Sequence, residues 1–299
     1  MQALFDAIAA APLELPADAT RLFHGRGGRF AGCEHLALDT YPPALLLTSF
    51  QALSDDTLTA LTAALTSRWP AAPCVYQCRA AGAAETRMLA GTLPEPHVVS
   101  EAGSRYLVHL LRGQNHGLFL DMAAGRAWVR AQVRPGAKVL NLFAYTCAFS
   151  VVALQAGAAE VTNVDMASGA LAIGRSNHEL NGVKAGARFL AHDIFNSWGK
   201  LTRGGPYDLV ICDPPSFQKG SFVATKDYAR LARRLPALLA PGGQALLCLN
   251  APELGVDFLR GVVETQAPGL EFVQRLPNPA SFADIAPERS LKALVYGTA

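Results

Sequence analysis

The chain has 299 residues, a formal net charge of +2, and hydrophobic residues at 51% of its positions. This length suits one large domain or two smaller ones, and the composition excludes global disorder. The balanced charge does not indicate a strongly electrostatic nucleic-acid binder, although a local basic patch is compatible with it. The first residues lack the basic region of a signal peptide, and no apolar run approaches the ~20 residues of a membrane span. We therefore expect a soluble cytoplasmic protein that makes no membrane contact.

The six cysteines are compatible with a reducing compartment. Cys74 and Cys78 have a spacing that could hold a metal, but no second pair and no histidine cluster follows, so the sequence predicts no metal site. Cys147, Cys212 and Cys248 fall in or beside predicted core elements, where free cysteine acts as a small hydrophobic residue.

Residues 1–113 are predicted to form a small α+β domain with a possible role in RNA binding. One helix is expected in part of the alanine-rich first twenty residues, and another begins after Ser54 and ends before Pro70. The expected strands lie at 44–50, 74–79 and 104–111.

Residues 21–30 of this domain read Arg-Leu-Phe-His-Gly-Arg-Gly-Gly-Arg-Phe. The glycines predict a loop, and the three arginines with two aromatic residues could contact a phosphate backbone. A solvated, flexible turn explains the same composition, and the sequence leaves both interpretations open.

From residue 114 to residue 299, strands and helices alternate, which is typical of a doubly wound, Rossmann-like α/β domain. The predicted strands are 138–143, 160–165, 187–191, 207–212, 244–249, 271–275 and 291–296. The predicted helices cover 121–133, 147–155, 168–180, 227–239 and 256–265, and Pro236 is expected to kink the fourth of them. The predicted fold is a seven-stranded α/β domain preceded by the smaller α+β domain.

The strand at 207–212 runs directly into Asp-Pro-Pro-Ser-Phe at 213–217. The two prolines end the strand because neither can donate to a ladder. Ligands of open α/β sheets bind at the carboxyl ends of the strands. Asp213 and the carbonyl of Pro214 could accept from a planar amino or ring N–H group, and Phe217 offers a face on which a base could stack.

Polar residues mark the carboxyl ends of four predicted strands, namely Asn141, Asp165, Asp193 and Asp213. An acid at the end of the second strand can accept from both hydroxyls of a ribose, which is the position of Asp165. Asp193 is placed to accept from an adenine amino group. An ordinary cap or surface carboxylate explains any one of them, but the four together predict a nucleoside site.

The first turn of this sheet, residues 144–148, contains no glycine. A dinucleotide site uses Gly-x-Gly-x-x-Gly so that the backbone can approach a pyrophosphate, and NAD is therefore disfavoured. S-adenosylmethionine contains an adenosine and a charged amino acid but no phosphate, and it fits this pattern better.

Four stretches resemble the class I S-adenosylmethionine-dependent methyltransferases of the ribosomal RNA large-subunit type, which include methyltransferase I and the C-terminal half of methyltransferase K/L. They are Val-Leu-Asn-Leu-Phe-Ala-Tyr-Thr (139–146), Asn-Val-Asp-Met (163–166), Asn177 with Asn-Gly (181–182), and Asp-Pro-Pro-Ser-Phe (213–217). Leu-Phe-Leu-Asp (118–121) also resembles the segment that leads into the family's catalytic domain. The resemblance covers about residues 114–250, and it implies S-adenosyl-L-methionine as cofactor and RNA, ribosomal RNA in particular, as partner.

The resemblance and the strand-end pattern together predict two sets of site residues. The catalytic set, which borders the target base, is Asp213, Pro214, Pro215, Phe217 and Asn250. The cofactor set is Phe119, Asn141, Phe143, Ala144, Tyr145, Thr146, Asp165, Met166, Asp193 and Ile194. Cys147 and Ala148 depart from the family, because a glycine pair usually follows the threonine.

The residue after the fifth strand separates two chemistries. A 5-methylcytosine enzyme needs a thiolate that attacks C6 of the base, and in that branch the nucleophile follows the fifth strand. Asn250 stands at this place, while Cys248 is a displaced candidate that core packing explains better. Transfer to a base nitrogen needs orientation without a covalent step, so the sequence favours a nitrogen of a flipped-out RNA base as the acceptor.

Three alternatives stay open beside this hypothesis. They are a 5-methylcytosine RNA methyltransferase with a cysteine nucleophile, a methyltransferase of a protein or small molecule, and a non-catalytic RNA-binding module.

Overall fold

The computed structural model describes residues 1–82, 84–215, 217–218 and 222–298, with the backbone alone at residues 217 and 218. The chain forms two compact units. Unit 1 comprises Met1–Asp121 and Pro279–Ala286, and unit 2 comprises Met122–Asn278 and the chain from Pro287 onward. The division into domains after residue 113 stays a prediction.

Helices and strands are numbered in chain order. The helices are α1 Gln2–Ala10, α2 Asp55–Arg68, α3 Ala123–Gln132, α4 Ala148–Gln155, α5 Ser168–Leu180, α6 Trp198–Gly204, α7 Ala224–Ala232, α8 Leu235–Leu238 and α9 Val256–Gln266. The strands are β1 Thr20–His24, β2 Leu36–Tyr41, β3 Ala44–Ser49, β4 Cys74–Cys78, β5 Glu85–Ala90, β6 His97–Glu101, β7 Ser104–Val108, β8 Lys138–Leu142, β9 Glu160–Asp165, β10 Ala187–Ala191, β11 Tyr207–Cys212, β12 Phe217–Gln218, β13 Phe222–Val223, β14 Leu239–Leu249, β15 Leu270–Leu276 and β16 Lys292–Thr298.

Unit 2 is built on a seven-stranded sheet in the order β10-β9-β8-β11-β14-β16-β15. The first five strands of this order pair in parallel, and β16 runs antiparallel to both of its neighbours. The parallel strands are apolar because helices cover both faces. Leu140 and Leu247 pack with α7 and α9 on one face, while Val139 and Leu246 pack with α3 and α4 on the other. The predicted Rossmann-like domain with seven strands is confirmed.

The predicted single helix over residues 227–239 is wrong. The structure has α7 and α8 instead, and Pro236 lies in the first turn of α8, where its missing N–H costs no helical hydrogen bond. Helix α7 begins before the predicted start because Asp227 accepts from the backbone N–H of Val223 at 2.9 Å and caps it. The Pro-Gly-Gly at 241–243, which follows the end of the predicted helix in the sequence, lies within β14.

Unit 1 contains a mixed sheet in the order β1-β2-β3-β4-β5 and a separate hairpin of β6 and β7. β3 and β4 are parallel and α2 connects them, whereas the other neighbours pair antiparallel. Ser54 caps α2 as predicted, because its side chain accepts from the backbone N–H of Thr57 at 3.2 Å. Leu4 of α1 and Leu61 of α2 pack in one apolar cluster with the sheet. The unit has the α+β character that the sequence predicted.

The segment at 21–24, predicted to be a loop, forms most of β1 and pairs with β2. Arg21 donates to both carboxylate oxygens of Asp39 on β2, at 2.7 and 3.0 Å, and this cross-strand pair supports the strand. The glycines that predicted the loop come after the strand, in a 3₁₀ turn at Gly25–Gly27.

Among the described residues, no helix is both long and apolar enough to span a lipid bilayer.

Candidate functional site

The carboxyl ends of the parallel strands lie along one edge of the unit 2 sheet, and most of the predicted site residues follow these ends. The residues at or just after the ends of β8, β9, β10, β11 and β14 include Phe143, Asp165, Asp193, Asp213 and Asn250. Because the five strands run in the same direction, the structure brings these positions to one edge of the sheet.

The loop between β8 and α4, residues 143–147, has an unusual backbone. Phe143, Tyr145 and Cys147 have φ values of +56°, +46° and +61°. This left-handed conformation costs a non-glycine residue on the order of 1–3 kcal/mol. Ala144 and Thr146 are buried between them. The loop therefore has a backbone of the kind glycines usually supply, although the sequence contains no glycine here.

Hydrogen bonds hold this loop in place. The donors and acceptors are Ala144 N to Val164 O at 3.1 Å, Tyr145 N to Asp165 Oδ2 at 2.8 Å, Cys147 N to Ala144 O at 2.7 Å, and Asn177 Nδ2 to Thr146 O at 3.0 Å. The loop is thus tied to the end of β9 and to α5, which explains how three strained residues persist.

The Cys147 side chain has space because Gly174 of α5 has no side chain. Cys147 is fully buried. A Cβ added at Gly174 would lie 2.6 Å from Cys147 Sγ, closer than real Cβ contacts, and 3.1 Å from the Cβ of Cys147, which is tighter than most. The two residues therefore form a matched pair, in which a side chain at 147 depends on a glycine at 174.

Asp165, the last residue of β9, is half-buried and supports two backbone segments. Its Oδ2 accepts from Tyr145 N and its Oδ1 accepts from Ala167 N, each at 2.8 Å. Each carboxylate oxygen keeps a further lone pair, so Asp165 can still accept from the hydroxyls of a ribose. The adjacent Met166 is 53% exposed and offers a flexible apolar surface to a flat ring.

Asp193 forms a cap. It accepts from Phe195 N at 2.8 Å and from Asn196 Nδ2 at 2.6 Å, and it begins the 3₁₀ turn Ile194–Asn196. Ile194 is buried in the apolar cluster that includes α7 and α9. The edge at Asp193 is therefore rigid, and its carboxylate is already engaged in two local contacts.

Asn141 lies inside β8, buried to 1% exposure, and not in the loop that follows. It begins a chain of buried hydrogen bonds from the sheet to α5. The contacts are Asn141 Nδ2 to Asn163 Oδ1 (2.9 Å), Asn163 Nδ2 to Ser150 Oγ (3.0 Å), Ser150 Oγ with His178 Nε2 (2.9 Å), and His178 Nδ1 with Gly174 O (2.6 Å). The contact of Asn141 with a cofactor stays a prediction, and in this structure the side chain connects β8 to the buried hydrogen bonds that reach α5.

The segment after β11 borders the same edge. Asp213 and Pro215 are half-buried and Pro214 is buried. Phe217 begins the two-residue strand β12, and its side chain, like Ser216, lies outside the described part of the chain. Asn250 is exposed directly after β14.

The six cysteines are all buried, and none forms a disulfide. Cys248 is fully buried, with Val139 and Leu246 in its apolar cluster, so its thiol is part of the core. Burial raises the pKa of the Cys212 thiol. Among the described residues, no group of three or more His, Cys, Asp or Glu side chains is placed to hold a metal ion.

Sequence reasoning missed the aromatic residues that connect the two sides of the site. The ring centroids of Phe143 and Phe222 are 5.3 Å apart, and those of Phe222 and Tyr228 are 5.4 Å apart, both edge to face. The Tyr228 hydroxyl donates to the carbonyl of Cys248, two residues before Asn250. This packing connects the loop after β8 to the end of β14. No spacing in the sequence identified it.

Sequence reasoning also missed Lys292, a fully buried residue of β16. Its Nζ donates to the carbonyl of Ala251 at 2.6 Å and to that of Glu288 at 3.0 Å, and burial lowers its pKa. A buried amino group is costly unless such acceptors are present. Lys292 therefore fixes the turn that presents Asn250, although a lysine near a strand end would ordinarily be interpreted as exposed.

An open parallel sheet with an antiparallel strand next to its edge and an acid after its second strand defines a Rossmann-like, nucleoside-binding type of domain. Residues 20–297 match the family described as S-adenosylmethionine-dependent methyltransferase. The chain belongs to this family, and the family and cofactor predicted from the sequence are confirmed.

Two curated relatives and one solved structure show what the chain is similar to. Ribosomal RNA large subunit methyltransferase I of Aeromonas hydrophila is 38% identical over 171 residues, which cover 54% of this chain and 42% of the relative. Ribosomal RNA large subunit methyltransferase K/L of a Psychrobacter species is 36% identical over 181 residues, which cover 58% of this chain and 22% of the relative. The crystal structure of SMU.776, described as "a putative methyltransferase complexed with SAH", has a TM-score of 0.85 and 27% identity, over 99% of this chain and 79% of that chain. The match spans less than half the length of either curated relative.

Replacing Gly174 by alanine should destabilise the protein by about 1–3 kcal/mol, because the new methyl group overlaps Cys147 Sγ. In a Cys147→Gly background the same Gly174→Ala change should cost much less, since the sulfur is gone and alanine favours a helix. Urea unfolding of the wild type, both single variants and the double variant measures this coupling. Additive effects of the two changes would show that the residues do not form a matched pair.

Proposed function

We propose that this chain transfers a methyl group from S-adenosyl-L-methionine to a base nitrogen of RNA, with ribosomal RNA as the substrate, in the cytoplasm. The observation that carries the proposal is at the end of β14. There an amide, Asn250, is exposed, while the thiol of Cys248 is fully buried in the core. A covalent attack on a pyrimidine needs an accessible thiolate, whereas transfer to nitrogen needs only an oriented lone pair.

The cofactor fits the residues on the β8 and β9 side of the edge. Asp165 has free acceptor capacity for a ribose, Met166 is exposed where an adenine ring could pack, and Phe143 and Tyr145 are half-buried on the loop that would flank the methionine part. When bound, S-adenosylmethionine supplies an electrophilic methyl group. Phe119, which is 43% exposed, stays part of the proposed cofactor set on the resemblance alone.

The target base fits the residues on the β11 and β14 side of the edge. Asp213 and the carbonyl of Pro214 accept from an amino or ring N–H group, and the two prolines hold these acceptors in place at little entropic cost. The side chain of Asn250 can both donate and accept. In this proposal these groups orient the base so that the lone pair of one nitrogen faces the methyl group, and the rigid turn held by Lys292 maintains that orientation.

The relatives support the nature of the substrate. The two curated relatives named above are both named as ribosomal RNA large subunit methyltransferases. The similar solved structure is described as a complex with SAH, the product left by S-adenosylmethionine after transfer. The assignment of RNA to this chain is a proposal from these similarities together with the geometry of the edge.

In the deciding experiment, the protein is incubated with labelled S-adenosylmethionine and with RNA from cells that lack it. The nucleosides of that RNA are then analysed for label. Label in a base methylated on nitrogen is the expected outcome. Label in 5-methylcytosine would contradict the proposed chemistry. Label in no RNA fraction, with binding of the cofactor verified, would overturn RNA as the substrate, and the same assay with protein fractions would then identify the acceptor class.

A Cys248→Ala variant is the internal check of that experiment. It should retain methyl transfer, because the thiol is buried in the core and takes no part in the proposed chemistry. Complete loss of transfer with an unchanged midpoint of thermal unfolding would restore the cysteine mechanism.

Replacing Asp165 by alanine should weaken the binding of S-adenosylhomocysteine roughly ten- to hundredfold, because a charged acceptor for the ribose and the anchor of Tyr145 N are both lost. Isothermal titration calorimetry measures the affinity. Glu160→Gln, at the other end of β9, is the matched control, since Glu160 pairs with the largely exposed Arg188. Equal affinities for wild type and Asp165→Ala would exclude the ribose role.

Replacing Lys292 by methionine should displace the turn that carries Asn250 and thereby lower turnover roughly ten- to hundredfold. The affinity for S-adenosylhomocysteine should stay close to wild type. The buried carbonyl of Ala251 and the partly buried carbonyl of Glu288 lose their donor, so a stability loss of about 1–3 kcal/mol should accompany the substitution. Thr298→Val, at the opposite end of β16, removes a hydrogen bond to Ala240 and controls for that loss. Comparable turnover in the two variants would mean that Lys292 acts on stability alone.

A further inference from the structure

Three arginines of unit 1 lie close together around two aromatic rings. Arg26 in the 3₁₀ turn after β1 places its guanidinium carbon 4.0 Å from the centroid of the Phe50 ring, and Arg79 after β4 places its own at 5.9 Å from the same ring. Arg21 of β1 lies 4.2 Å over Phe282. We call Arg26, Phe50 and Arg79 the arginine–phenylalanine cluster.

The three arginines around these rings are not all paired with carboxylates. Arg21 is neutralised by its two contacts with Asp39. Within the described part of the chain, neither Arg26 nor Arg79 has a carboxylate within ion-pair distance. Burial and then repulsion by Arg21 lower the pKa of Arg26, which also feels the more distant carboxylate of Asp121.

The neighbouring histidines and the hydrogen-bond acceptors of Arg79 add no charge at neutral pH. Burial, followed by repulsion from Arg21, lowers the pKa of His24 to about 4, and burial also lowers the pKa of His116. Arg79 donates to Gln77 Oε1 and to the carbonyl of Gln114, both at 2.6 Å, and these acceptors are neutral. Arg26 and Arg79 thus keep their positive charge available to a ligand.

The turn that carries Arg26 is held rigidly. A Cβ at Gly25 would collide with the carbonyl of Cys33, and one at Gly27 would collide with that of Ala283, so both neighbours of Arg26 must be glycine. The carbonyl of Gly27 accepts from Ile285 N at 2.9 Å. The pattern Gly-Arg-Gly, which also suggested a flexible turn, therefore places an exposed arginine precisely enough to serve recognition.

The aromatic ring and Arg79 are fixed as well. Phe50 N donates to the carbonyl of His35 at 2.8 Å, and Arg79 N donates to the carbonyl of Ser49 at 2.7 Å, so both residues extend from the paired ends of β3 and β4. A guanidinium that stacks on a ring keeps its N–H groups free in its own plane. One face of Arg26 is covered by Phe50, and its other face can stack on a base.

We propose that the arginine–phenylalanine cluster binds the sugar–phosphate backbone of single-stranded RNA, with a base stacked on Arg26. Two guanidinium groups without carboxylate partners fit phosphate oxygens, and the stacking face favours a nucleic acid over an acidic peptide. This inference rests on the proposed function, because it assigns to unit 1 the binding of the RNA that unit 2 is proposed to methylate.

The test measures the affinity of the full chain for a labelled single-stranded RNA of mixed sequence, over a series of salt concentrations. Arg26→Gln and Arg79→Gln should each weaken binding about tenfold, irrespective of sequence. Each should also lower the slope of log K against log salt by about 0.7, the value for one phosphate contact with a single strand. Arg26→Lys should keep the slope and lose affinity, since it keeps the charge and loses the planar stack.

The controls separate a local site from general charge loss. Arg87→Gln removes an arginine of the same unit that pairs with Asp55 on the surface, and it should leave affinity and slope unchanged. The affinity for S-adenosylhomocysteine and the thermal unfolding midpoint should match wild type in all these variants. An equal loss of RNA binding in Arg87→Gln and Arg26→Gln would contradict the assigned site.

The outcomes also distinguish this inference from the proposed function. If the wild type methylates RNA while both glutamine variants keep its RNA affinity and slope, the cluster is not the binding site and the methyltransferase proposal stands. If the wild type neither binds nor methylates RNA, both fail. If the variants lose binding of a polyglutamate peptide but not of RNA, the partner of the cluster is an acidic protein and the RNA assignment is wrong.

Discussion

The site depends on how the strained loop at 143–147 is held against the end of β9. Three left-handed, non-glycine residues cost several kcal/mol together if each costs on the order of 1–3 kcal/mol. The contacts of Asp165 with Tyr145 N, of Asn177 with Thr146 O, and of buried Cys147 with the glycine on α5 offset this strain. Residues that bind a cofactor in our proposal thus also maintain the shape of the binding edge, so loss of Asp165 acts on both at once.

The buried polar chain from Asn141 to His178 connects β8 to α5, the helix against which Cys147 of this loop packs. Its hydrogen bonds are directional and pass from β8 through Asn163 and Ser150 to α5, where they end at the carbonyl of Gly174. In a neutral ring with Nδ1 as donor to that carbonyl, Nε2 accepts from the Ser150 hydroxyl. Burial lowers the pKa of His178, in agreement with this arrangement. A buried polar network whose members are hydrogen-bonded to one another specifies one packing of α5 on the sheet.

Much of the sheet could be predicted from the sequence because its strands are short apolar runs with polar ends, as at Glu160–Asp165 and Tyr207–Cys212. The carboxylates at strand ends followed from the same pattern. What could not be predicted depends on contacts between distant residues. Strand β1 requires the pairing of Arg21 with Asp39, Lys292 requires carbonyls at 251 and 288, and the conformation at 143–147 requires a glycine at 174. The absence of glycine from the first turn argued against a dinucleotide site, and it gave no sign of the glycine-like backbone that the structure shows there.

The fit of Cys147 against Gly174 restricts the order in which substitutions could accumulate during evolution. A chain with glycine at 147 tolerates alanine or glycine at 174, but a chain with cysteine at 147 tolerates glycine alone without repacking. The order with glycine at 174 first avoids an overpacked intermediate, whereas the reverse order passes through one. Once cysteine is present at 147, substitution of Gly174 is disfavoured. The effect of a substitution at 174 thus depends on the residue already present at 147. A substitution that is harmless in a relative with glycine at 147 would be damaging in this chain.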